Sequence, residues 1–189
     1  MRSAVTVLMV SGSLRAGSTN TALLQTAQAV APDGVNAVLY VGLAHLPQFN
    51  PDDDHEPIHP AVADLRTALG RADALLFSTP EYAGALPGSF KNLLDWTVGG
   101  GGTYGMPAAW LNASGVQSPT GAADAHESLR KVLGYTGVNI VEEACIRLPV
   151  ARQSVGPDGL IADPAVHEQL SRVLGLIAEQ VRERRRYTE

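Results

Sequence analysis

Ten residues near the amino end carry most of the chemistry that this sequence offers. They read Ser11-Gly12-Ser13-Leu14-Arg15-Ala16-Gly17-Ser18-Thr19-Asn20, between an apolar run and a segment of helical period. Two glycines permit tight backbone geometry. Ser11, Ser13, Ser18, Thr19 and Asn20 supply uncharged polar groups, and Arg15 adds a fixed cationic fork. A helix start behind them offers unpaired N–H groups and a favourable dipole. Together these suit a phosphate. A plain strand-to-helix loop would need one hydroxyl as an N-cap, not four and an arginine.

The spacing narrows the choice of phosphate. Gly12 to Thr19 spells GxxxxG followed by Ser-Thr, but a Walker A motif needs lysine where Ser18 stands, which argues against an NTPase. GxGxxG occurs only at residues 100–105, after a helix and before a strand, the wrong context for a dinucleotide fingerprint; it reads as a flexible loop. A terminal monophosphate such as that of FMN fits best.

Other reactive types offer less. His55-Glu56-Pro57-Ile58-His59 matches HExxH, yet Pro57 and the following Pro60 oppose the continuous helix that a zinc site needs. With Asp52, Asp53 and Asp54 it reads as an acidic, proline-broken loop, and no metal is expected. Cys145 is the single cysteine, so an intramolecular disulfide is excluded and a reducing, cytoplasmic setting is expected. It reads as a small buried hydrophobe. No Cys–His or Ser–His–Asp arrangement is evident, so no residue is assigned as a catalytic acid, base or nucleophile.

These residues need a scaffold, and the chain is long enough to build one. At 189 residues it reads as a single domain, 1–189, able to bury a real core. Charged residues are 17%, well under the ~25% of typical soluble domains. Net charge is −5, so nothing points to nucleic acid. The run Arg182, Arg184, Arg185, Arg186 reads as a solvated last helical turn. No apolar run approaches the ~18 residues of a membrane span, and the amino end reads as a buried strand rather than a signal peptide.

Apolar runs alternate with helical patterns. Strands are expected at 4–10, 36–41, 74–78, 108–113 and from 138, the last extending in pieces to 148. Helical stripes lie between them and at Val166, Leu170, Val173, Leu174, Ile177 and Val181. Five strand–helix units imply a three-layer α/β fold, a doubly wound five-stranded parallel sheet of order 2-1-3-4-5. In such sheets ligands bind beyond the carboxyl ends of the strands, at the switch between strands 1 and 3.

The loop after the third strand reads Thr79-Pro80-Glu81-Tyr82-Ala83-Gly84-Ala85-Leu86-Pro87-Gly88-Ser89-Phe90-Lys91-Asn92-Leu93-Leu94-Asp95-Trp96. It resembles the signature PEYNxSxPGxLKNxxDW of the NADPH-dependent FMN reductase family of flavodoxin-like proteins. The first loop is similar to that family's GSLRxxSxN element, from Gly12 to Asn20. The resemblance implies a flavodoxin-like fold and FMN, its phosphate on the first loop and its ring against Pro80, Glu81, Tyr82, Ala83, Gly84 and Ala85. Ala83 stands where asparagine is common and Ala85 where serine is common. The backbone N–H groups of Ala83, Gly84 and Ala85 remain as donors to the ring. After the fourth strand, Ser114 and Gly115 are the expected contacts on the pyrimidine side. Lys91, Asp95 and Trp96 read as structural residues or as a subunit contact.

The family further implies NADPH or NADH as co-substrate and a small-molecule electron acceptor: a quinone, azo compound, metal oxyanion or free flavin. It also implies a homodimer or homotetramer, which would account for part of the low charge. Two other readings stand beside it: a flavodoxin-like electron carrier without NAD(P)H turnover, and a flavin-free binding protein of the same fold.

Overall fold

The computed structural model describes residues 4–115 and 120–188. Residues 116–119 of the loop after the fourth strand, and residues 1–3, lie outside them.

The apolar runs form the strands β1 (Val5–Ser11), β2 (Val35–Tyr40), β3 (Ala74–Ser78) and β4 (Pro107–Asn112), followed by the two-residue pieces β5 (Asn139–Ile140) and β6 (Ile146–Arg147). All pair parallel, in the order β2-β1-β3-β4-β5, with β6 beside the far end of β4. The fifth strand comes in pieces because a 3-10 turn, Glu142–Ala144, interrupts it.

The helices are α1 (Thr19–Ala29), α2 (Pro60–Gly70), α3 (Gly88–Trp96), α4 (Ala123–Tyr135) and α5 (Pro164–Thr188). Strand pleating sends alternate side chains to opposite faces. Val5, Val7 and Met9 of β1 and Leu76 of β3 pack with Leu23 and Leu24 of α1 and with Leu170, Leu174 and Ile177 of α5. Leu8 and Val10 of β1 and Leu75 and Phe77 of β3 pack with Val62 and Leu65 of α2, Phe90 and Leu93 of α3, and Leu129 of α4. β3 and β4 are buried along their whole length, which is why their sequences show no alternation. β2 is an edge strand and mostly open.

Three connections hold the loops in place. Asn92 of α3 accepts from the Phe49 N–H at 2.7 Å and donates to the Pro47 carbonyl at 2.8 Å, and the Trp96 indole donates to the same carbonyl at 2.9 Å. Lys91 and Asp95 form an i,i+4 ion pair at 2.5 Å. These signature residues are structural. The terminal arginines are less solvated than their composition suggests: Arg185 pairs with Asp73 and Arg184 donates to the Gly105 carbonyl, tying the end of α5 to the sheet. The glycine-rich loop is also tied down, through Gly105 N–H to the Gly137 carbonyl at 2.7 Å.

The HExxH segment has no helix across it. His59 instead serves as the N-cap of α2, its ring accepting from the Ala61 N–H at 3.2 Å. Among the described residues no cluster of His, Cys, Asp or Glu could hold a metal, and no helix is long and apolar enough to cross a membrane.

Candidate cofactor site

A cleft of about 470 Å³ opens at the carboxyl ends of the strands, within the ~300–1,000 Å³ of small-molecule sites. Ser13, Arg15, Ser18, Thr19 and Asn20 line it from the first loop, Pro80, Glu81 and Tyr82 from the second, and Ser114 and Gly115 from the third. Ten of the expected residues thus meet at one site, drawn from three loops far apart in sequence.

The first loop is prepared for an anion. Gly12 continues the β1–β3 ladder by donating to the Ser78 carbonyl at 2.8 Å. A Cβ on Gly12 would collide with the Thr79 hydroxyl and lie 2.7 Å from Thr79 Cβ and 2.9 Å from Phe90 Cδ1. Close approach therefore requires glycine here. Ser18 occupies the N-cap of α1, yet its side chain makes no capping bond. The first α1 N–H with a helical partner is that of Ala22, which bonds to the Ser18 carbonyl at 2.9 Å. Earlier N–H groups of the turn remain for a ligand, with the positive end of the helix dipole behind them. Asn20 is held from below: its Oδ1 accepts from the buried Ser78 hydroxyl at 2.9 Å.

Four expected residues sit otherwise. Ser11 does not line the cleft; its hydroxyl is shared with Thr21 at 2.8 Å and accepts from the Ser13 N–H at 3.3 Å. It braces the loop from within. Ala83, Gly84 and Ala85 stand outside the lining set as well. They belong to a tight turn in which Tyr82 and Ala85 exchange both N–H···O bonds at 3.1 Å. The Ala85 N–H is consumed in that exchange and is no donor to a ring, leaving those of Ala83 and Gly84.

The same turn explains the usual asparagine at position 83. Ala83 has φ 52° and Gly84 φ 69°, the two left-handed residues of a type I′ turn, which favours Asn-Gly. An alanine there is strained by about 1 kcal/mol. Ala83→Asn is expected to raise stability by about 0.5–1 kcal/mol in urea unfolding, since asparagine tolerates this region far better. A loss of stability would show that the turn is not strained.

Glu81 both lines the cleft and ties it to α4. One oxygen accepts from the Thr120 hydroxyl at 2.6 Å and the other from the Ala125 N–H, in the first turn of α4, at 3.2 Å. The Thr120 hydroxyl foremost, and the backbone N–H groups of that turn, hold the carboxyl below its usual range. Asn112 and Arg147 fix the third loop. Asn112 accepts from the Ser114 N–H at 2.9 Å, and the Arg147 guanidinium donates to the Ser114 and Gly115 carbonyls.

Behind this wall His126 is 8% exposed, stacked on Trp110 with ring centroids 6.1 Å apart and with its Nε2 buried and unbonded. Burial pushes its pKa down, partly opposed by Glu81. The unfolded chain therefore binds this proton more readily than the native one. The resulting stability loss begins as pH falls through the ordinary histidine value of about 6.5 and is complete below the lower native value. His126→Phe is expected to flatten that part of the stability–pH curve between pH 7 and 5; an unchanged slope would contradict the assignment. Burial also pushes the Cys145 thiol up to about 11, so it is an inert thiol at neutral pH.

Residues that the motifs did not reveal also line the cleft: Ala113, Thr120, Val150 and Arg152. Val150 and Arg152 follow β6. The rule that ligands gather at the carboxyl ends of strands, extended to the fifth unit, is the signal that points to them.

Residues 5–152 match the family described as NADPH-dependent FMN reductase. The chain belongs to that family. It is an FMN-dependent NAD(P)H oxidoreductase. It is 33% identical to an NAD(P)H-dependent FMN reductase of Pseudomonas aeruginosa over 180 residues, 94% of this chain and 96% of that one. It is 29% identical to a 2-hydroxy-1,4-benzoquinone reductase of a Burkholderia species over 186 residues, 96% and 99% of the two chains. Among solved structures it is similar to FerB, a flavoenzyme NAD(P)H:(acceptor) oxidoreductase from Paracoccus denitrificans. The TM-score is 0.73 at 27% identity, over 95% of this chain and 98% of that one. Likeness to a flavodoxin of Pseudomonas aeruginosa, TM-score 0.59 at 19% identity, over 92% and 99% of the two chains, shows the shared fold.

Proposed function

We propose that this reductase, acting as one domain, holds FMN in the 470 Å³ cleft and uses NAD(P)H to reduce a quinone. FMN supplies the redox chemistry; the chain supplies binding, orientation and electrostatics. The observation that carries the reading is the start of α1, where an uncapped helix end, the free Ser18 hydroxyl and Arg15 face the same cleft. They would hold the phosphate. Pro80 and Tyr82 would lie along the ring, the N–H groups of Ala83 and Gly84 would serve its polar edge, and Ser114 and Gly115 would serve its pyrimidine side. Fixed donors there would stabilise negative charge as electrons arrive. No side-chain acid or base is required, in keeping with a cleft whose one carboxylate, Glu81, is committed to Thr120 and α4.

The quinone assignment is supported by the 2-hydroxy-1,4-benzoquinone reductase relative and by the likeness to FerB, an NAD(P)H:(acceptor) oxidoreductase. Leu14 and Tyr82, 56% and 53% exposed on the loops that border the cleft, support a homodimer or homotetramer covering this rim. A reducing cytoplasm suits the NAD(P)H co-substrate and the lone thiol.

Purified protein is expected to bind FMN with a yellow chromophore, to bleach anaerobically with NADPH or NADH, and to recover colour with benzoquinone. Failure to bind FMN would sink the reading. Bleaching by dithionite but by neither nicotinamide would identify an electron carrier instead. Light scattering at a monomer mass would remove the oligomer.

A further inference from the structure

We propose that Arg152 is a second anion-binding residue of the cleft, set against the 5′-phosphate of FMN from a separate element of the fold. The inference rests on the reading that the cleft holds FMN.

Among the described residues, three charged ones line the cleft: Arg15, Glu81 and Arg152. Glu81 stays ionised, its carboxylate hydrogen-bonded by the Thr120 hydroxyl and the start of α4. The ion pairs among the described residues take Arg66, Lys91, Arg130 and Arg185, and neither Arg15 nor Arg152 has an acidic partner there. A chain of net charge −5 thus directs two uncommitted guanidinium groups to one concave site. A phosphate monoester carries about −1.5 to −2 at neutral pH, whereas one arginine and a helix end supply about +1.5. Glu81 subtracts one charge from that sum, and a second arginine restores it to about +1.5, the match to the phosphate.

The element that carries Arg152 is fixed, although the side chain is free. Residues 151–163 form a strap from β6 to α5. It begins beside the third loop, where Val150 N–H donates to the Ala113 carbonyl at 3.3 Å. It then makes a 3-10 turn over Arg152–Ser154 and closes on itself through the Val155–Ile161 bridge. Finally the Ile161 N–H donates to the buried Thr26 hydroxyl of α1 at 3.0 Å. The strap is therefore tied to the same helix whose first turn faces the anion. Arg152 and the first loop thus line one cleft from two elements that are both anchored on α1.

The NADPH 2′-phosphate is the other source of the same chemistry, and the test separates the two. Apo-protein is titrated with FMN and with riboflavin, which lacks the phosphate, following flavin fluorescence. Wild type is expected to prefer FMN strongly. Arg152→Gln is expected to weaken FMN by about 10- to 100-fold with riboflavin unchanged, and Arg152→Lys to recover part of the loss. If the glutamine variant weakens both flavins alike, the residue acts on packing and the proposal falls. If FMN binding is unchanged while KM rises for NADPH but not NADH, the cation serves the nucleotide and the proposal falls. If wild type itself shows no preference for FMN over riboflavin, the assignment of the cleft to FMN falls first and this inference with it.

Discussion

Gly12→Ala is expected to destabilise the protein by about 1–3 kcal/mol, the usual cost of forcing one extra carbon into a filled site. It is also expected to weaken FMN by more than the loss of any one contact. The reason is where the new Cβ must go. Thr79 and Phe90 close over Gly12, with Thr79 Cβ 2.7 Å and Phe90 Cδ1 2.9 Å from the added atom. Phe90 is fully buried against Phe77 at 5.6 Å between ring centroids, so it has no room to retreat. The loop must move instead, breaking the 2.8 Å bond from Gly12 to Ser78 and carrying Ser13 to Asn20 away from the cleft. Urea unfolding and FMN titration read the two consequences separately. A variant with wild-type stability would mean that the contact is slack.

Arg15→Ala is expected to act the opposite way, on binding and not on folding. The side chain is exposed and makes no ion pair among the described residues, so the unfolding midpoint should barely move. FMN affinity should fall about 10- to 100-fold, the range for losing a charge-assisted bond. Because the phosphate gains its second proton near pH 6, the gap between wild type and variant should narrow as pH falls below about 6. Unchanged affinity at pH 7.5 would refute the assignment of the first loop to the phosphate.

How far the sequence carried is clearest residue by residue. The strand expected at 74–78 is β3, and the one at 4–10 is β1 shifted by one residue, because doubly covered strands leave unbroken apolar runs. The fifth strand was legible only in outline. Two residues at a time give no periodicity, and the interrupting turn carries Glu142 and Glu143. In the site, the first loop was legible because its chemistry is local and concentrated. That Ser11 braces the loop from within was not legible, because a hydroxyl facing a ligand and one facing Thr21 look alike in a string. The bond from the Ala85 N–H to Tyr82 was not legible either, because a turn of this kind is invisible until φ angles are known. Arg152 had only the carboxyl-end rule to point to it and no motif. It lies more than 130 positions from Arg15, and only the strap's return to α1 brings the two to one cleft. The usual asparagine at 83 is explained by backbone preference within the turn, which the string does not show.

The bond from Glu81 to the first turn of α4 has a consequence for anyone who would redesign this enzyme. Exchanging the 80–85 segment for that of a relative is the obvious way to graft a new acceptor preference. The glutamate of that segment is the acceptor of the Thr120 hydroxyl and the Ala125 N–H, so even a donor loop that keeps the signature glutamate needs a helix start that presents both donors to it. The transferable unit is the loop together with the head of α4, two pieces some forty residues apart that behave as one cassette.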